Sequence, residues 1–127
     1  MSYYFGKKIK TSFEKAVAKV TEALKAEGFG ILTEIDVGNT LKNKLGVEFR
    51  NYKILGACNP HMAHKAISAE WDIGLLLPCN VIVYEKESRV WVGIMKPTQA
   101  MAGVKNDTLR EIANEVEAKL KRVFDSM

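Results

Sequence analysis

The chain has 127 residues, 47% of them hydrophobic and 27% charged; that suits one globular domain with its own core and excludes a mainly disordered chain. The net charge of +4 is spread through mixed runs of Lys, Glu and Asp, such as Lys42, Lys44 and Glu48, so it reads as solvated faces and makes nucleic acid an unexpected partner. The longest apolar stretch, from Ile73 to Tyr84, is broken by Pro78, Cys79 and Asn80 and falls short of the ~20 residues that span a bilayer, so no membrane role is expected.

Residues 3 to 9 alternate, with Tyr3, Phe5 and Ile9 on one side, and predict a first strand. Thr11 and Glu14 have capping-box spacing for a helix whose inward stripe is Phe13, Val17, Val20 and Leu24. Gly28 is placed to stop it. A second strand follows over 29 to 37, with Phe29, Ile31, Ile35 and Val37 on one face and Glu34 and Asp36 on the other. Residues 39 to 45 predict a short helix closed by Gly46. In the third strand Tyr52, Ile54, Gly56 and Cys58 share a side, and Asn59-Pro60 ends it. Asn59 then caps a helix over about 60 to 69, with Pro60 in its first turn.

Beyond the apolar run 73 to 77, Val81 to Tyr84 and Val90 to Met95 predict a hairpin across the charged turn Glu85 to Arg89. Residues 97 to 105 read as a loop or short helix. A last helix spans about Asn106 to Phe124, with Leu109, Ile112, Ala113, Val116, Leu120, Val123 and Phe124 as its stripe. The expected fold class is α+β, a mainly antiparallel sheet with helices on one side.

Two Cys-Asn pairs are the candidate site. Cys58-Asn59 closes a strand and opens a helix, where the helix dipole favours a thiolate; Cys79-Asn80 enters a strand. The plain alternative is a pair of small buried residues. His61 and His64 lie three apart on the helix after Cys58 and, with Cys58 and Cys79, are the only candidate metal ligands, although no CxxC or HExxH spacing is present. Tyr3, Tyr4, Tyr52, Trp71 and Trp91 read mostly as core, with Trp71 the best placed for an interface. The opening residues Met1 to Lys8 lack the basic-then-apolar order of a signal peptide, so a cytoplasmic home with free thiols is the expectation. No residue pattern identifies a catalytic group or a cofactor.

Three blocks, Glu27 to Asp36 (EGFGILTEID), Tyr52 to Pro60 (YKILGACNP) and Gly74 to Val81 (GLLLPCNV), resemble the bacterial and archaeal family catalogued as domain of unknown function 302. The resemblance covers nearly the whole chain. It implies a fold similar to the TATA-binding-protein-like or helix-grip class, in which a curved, mainly antiparallel sheet packs on a long C-terminal helix, and it implies a homodimer. His64 fits the resemblance; His61 departs from it, which argues against a metal site needing both. The resemblance implies no catalytic residues. Three readings follow: a homodimeric module holding a small, partly apolar ligand between sheet and last helix; thiol redox or metal chemistry at Cys58 and Cys79; and a purely structural or interaction domain.

Overall fold

The computed structural model describes residues 2–127. Five strands form one sheet: β1 (Tyr4–Ile9), β2 (Gly30–Asp36), β3 (Tyr52–Cys58), β4 (Cys79–Lys86) and β5 (Arg89–Met95), in the order β1-β5-β4-β3-β2, with every neighbouring pair antiparallel. The helices are α1 (Phe13–Ala26), α2 (Val37–Leu45), α3 (Pro60–Ala69), α4 (Pro97–Ala100) and α5 (Asp107–Asp125), with a 3-10 helix at Trp71–Leu76. This is the α+β class expected from the sequence, with an open sheet and a long C-terminal helix.

Local chemistry accounts for the boundaries. Asn59 accepts from the Met62 amide and Asn106 from the Leu109 amide, satisfying donors that the first helical turn leaves free. Gly28, at φ 86°, takes the left-handed turn after α1. Glu87 and Ser88, at φ 54° and 63°, form the two-residue turn that joins β4 to β5 and matches the strand twist. The helix α1 starts differently from the expectation. Ser12, not Thr11, is its cap and accepts from the Lys15 amide at 3.2 Å. A one-residue shift brings Phe13 to the first helical position, where it is buried.

The core lies on one face of the sheet. Leu55, Ala57, Val81, Val83, Val90, Val92 and Ile94 point into it and meet Phe13, Ala16, Val20 and Leu24 of α1 and Leu109, Ala113, Val116 and Leu120 of α5. Lys7 also points inward, and its Nζ donates to the main-chain oxygens of Phe124 at 2.7 Å and Met127 at 2.8 Å. It thereby closes the carbonyl end of α5, where a cation is favoured.

The opposite face of the sheet is open. Tyr4, Tyr52, Ile54, Ile82, Tyr84 and Trp91 lie on it, which corrects the expectation that most of the aromatics serve the core. The side shared by Tyr52, Ile54, Gly56 and Cys58 is therefore largely the outer one, while Leu55 and Ala57 pack inward. Trp71 and Tyr3 are exposed.

Candidate functional site: an apolar cavity at the β3–β4 corner

A cavity of about 280 Å³ opens where the end of β3, the start of β4, α3 and α5 converge. Its smallest wall residues are Ala57, Ala63, Ala66 and Ala113, one or more from each of β3, α3 and α5. Short side chains facing one another across three elements leave space that the larger Phe29, Met62, Ile67, Met101 and Ile112 enclose but do not fill. Pro97 and Met101 line it from the α4 segment. No charged side chain takes part.

Leu32, which sequence reasoning did not single out, marks the mouth. The β2–β3 register shifts between Ile31 and Thr33, and the bulge takes Leu32 out of strict alternation. It is exposed yet lines the cavity. Gly56, opposite Thr33, makes this bend possible: a Cβ there would collide with Thr33 Oγ1 and stand 2.7 Å from Pro78 Cγ.

Three members of the Cys-Asn pairs meet at the cavity. Ala57 faces Cys79 across the β3–β4 ladder, so Cys58 and Cys79 are close neighbours, and both line the space. Cys79 is buried, whereas Cys58 is half-buried. Burial, with a smaller contribution from the nearby Cys58, pushes the Cys79 thiol up to about 11, so it stays protonated at neutral pH and is a poor nucleophile. Asn59 is the one amide side chain in the wall, and both its ends are engaged. Its Oδ1 caps α3, and its Nδ2 donates to the Glu27 carbonyl at 3.4 Å. A Cβ at Gly28 would lie 3.1 Å from that nitrogen, so the glycine lets the two loops approach.

The remaining candidates lie elsewhere. Asn80 is exposed on the open face of the sheet, opposite Gly56. His61 and His64 are exposed on α3 and do not line the cavity. Among the described residues no three His, Cys, Asp or Glu side chains gather where a metal ion could be held. Asp36 caps α2 through the Asn39 amide at 3.0 Å, and Glu34 pairs with Lys53 at 2.7 Å. Among the described residues no helix is long and apolar enough to cross a membrane.

Fold and site together define an α+β domain with one covered sheet face and an apolar cavity at the corner of that face. The chain belongs to the family described as Domain of unknown function DUF302, whose model matches residues 5–127. It is similar to the crystal structure of an uncharacterized conserved DUF302 protein from Bacillus stearothermophilus, at 29% identity and a TM-score of 0.91 over 98% of each chain. No curated protein matches it.

Proposed function

We propose that the domain is a homodimeric binding module for a small, uncharged, largely apolar molecule held in the β3–β4 corner cavity. The observation that carries this is the wall itself: about 280 Å³ surrounded by aliphatic, aromatic, methionine and thiol groups, with its single amide already hydrogen-bonded. An apolar cavity of about 150 Å³ holds a benzene-sized molecule, so a two-ring compound or a medium acyl chain is the matching size. A charged ligand would lose its hydration without finding a partner. The thiols serve as soft, polarizable wall groups. A nucleophilic role for Cys79 fits less well, because that thiol holds its proton.

The test uses the neutral two-ring dye N-phenyl-1-naphthylamine. Saturable fluorescence enhancement with one site per chain is expected. Ala63→Phe, at a half-buried wall position, should weaken it at least tenfold with an unchanged circular dichroism spectrum. Absence of saturable binding, or equal binding by the folded variant, refutes the reading.

A further inference from the structure

The wall of the corner cavity is rich in sulfur. The chain has two cysteines and five methionines; both cysteines and two of the methionines, Met62 and Met101, line this one space. Three of the four come from neighbouring positions at its corner. Cys79 stands opposite Ala57 on the β3–β4 ladder, one residue from Cys58. Met62 follows Cys58 by four residues, in the first turn of α3, where Asn59 Oδ1 holds its amide. Cys79 and Met62 are each 6% exposed. Asn59, the one amide in the wall, is engaged at both ends, so the buried Cys79 side chain faces sulfur and hydrocarbon.

Donor type decides which ion such a wall suits. No imidazole or carboxylate lines it, which disfavours ions that need nitrogen or oxygen, whereas thiolate and thioether sulfur select soft ions. Structural zinc takes four ligands and iron–sulfur clusters are held by four thiolates; two cysteines complete neither. Copper(I) is the soft ion satisfied by two or three sulfur donors. We infer that the corner of the cavity is a copper(I) site, with Cys58 and Cys79 as thiolate ligands and the Met62 thioether as a third donor. The exposed His61 and His64 take no part. Cys79 carries its proton in the metal-free chain, and a thiol that coordinates a metal gives it up. Binding therefore breaks two S–H bonds and forms two S–Cu bonds. Two protons leave to solvent, copper stays in the +1 state, and no electron is transferred. One cation in exchange for two protons leaves the site with a single negative charge. That charge lies at the start of α3, the end of a helix dipole that favours an anion. Met62 suits the third position because its unbranched, flexible stem lets the sulfur swing to the ion. The site goes beyond the binding reading above, since sulfur carries the one and the aliphatic walls carry the other.

The test is anaerobic competition between the full, reduced chain and the coloured copper(I) complex of bicinchoninate. The wild type should withdraw one copper(I) per chain. Cys58→Ser and Cys79→Ser should each weaken binding at least about 100-fold, because even a group that only orients a metal ligand is worth roughly 10- to 100-fold. Met62→Leu, which conserves volume, should weaken it about tenfold. A chain carrying both His61→Ala and His64→Ala should bind as the wild type does. Circular dichroism checks that each variant folds. The copper K-edge absorption spectrum of the loaded wild type is a second reading that needs no variant, and a first shell of sulfur alone is expected. Nitrogen or oxygen in that shell, full binding by either folded serine variant, or loss of binding in the histidine variant overturns the site. One copper per two chains gives the ion to a bridge between the half-buried Cys58 thiols of two copies and overturns it as well, as does a wild type that withdraws no copper. Binding of N-phenyl-1-naphthylamine is read separately on copper-free protein, so either reading fails without the other.

Discussion

Asn59 joins the fold to the cavity, and its substitution separates two contributions. Asn59→Ala removes the acceptor at the Met62 amide and the donor to the Glu27 carbonyl. Loss of an N-cap costs about 1 kcal/mol, within a range of roughly 0.5–2. The Glu27 bond, at 3.4 Å, is at the long end for such a contact and contributes about 0.5 kcal/mol. The expected destabilisation is about 1.5 kcal/mol, which lowers the melting temperature by about 5–6 °C in a domain of this size. Asn59→Asp keeps the cap and places a favourable negative charge at the helix start, worth about 0.3–1 kcal/mol. It also loses the donor and turns an anion toward the Glu27 carbonyl. Urea unfolding followed by circular dichroism gives the energies. Hydrogen exchange at the Met62 amide reports the cap alone: protection should fall in Asn59→Ala and persist in Asn59→Asp. An Asn59→Ala variant within about 0.3 kcal/mol of wild type, or equal loss of Met62 protection in both, would refute the dual role.

Gly56→Ala should destabilise by about 1–3 kcal/mol, because the new methyl meets Thr33 Oγ1 and Pro78; urea unfolding reads this, and combination with Thr33→Ala should recover part of it. Cys79 makes stability fall at high pH. Its thiol titrates at 9.0 unfolded and about 11 folded, so the unfolded chain loses the proton first, and the contribution is complete below pH 9 and disappears as pH rises toward 11. That amounts to about 2–3 kcal/mol, and Cys79→Ala should flatten the alkaline limb of stability against pH by a similar amount. Lys7→Met should cost about 1–2 kcal/mol by leaving the Phe124 and Met127 oxygens without their charged donor; hydrogen exchange should show faster fraying confined to the last turns of α5.

Elements whose ends carry their own chemistry were legible in the sequence. Asn59-Pro60, Asn106 and Gly28 mark helix boundaries through bonds formed within a few residues, and they stand where expected. The inward face of β3 was not legible. Both of its sides are apolar, and the larger set, Tyr52 and Ile54, lies outside; only pairing with β4 and coverage by helices on one side fix the choice. The convergence of Cys58 and Cys79 could be posed as a question from sequence, but their separation of about twenty residues says nothing about strand adjacency. Leu32 escaped notice for a related reason. Its place at the cavity mouth depends on a bulge, and the bulge depends on Thr33 meeting Gly56 across a ladder that single-strand periodicity cannot see.

The size of the cavity bears on whether it is incidental. Closed space left in a core costs about 24 cal/mol per Å³, so 280 Å³ would cost about 7 kcal/mol if it were sealed. That is comparable with the whole stability of a typical domain, about 5–15 kcal/mol. The opening at Leu32 relieves part of this by admitting water, but water finds few polar partners among these largely apolar walls. Filling the space would take only larger residues at Ala63, Ala66 or Ala113, single substitutions in helices that tolerate long side chains well. A chain that keeps alanines at Ala63, Ala66 and Ala113 leaves unfilled a space that, under the binding reading proposed above, an apolar occupant would fill.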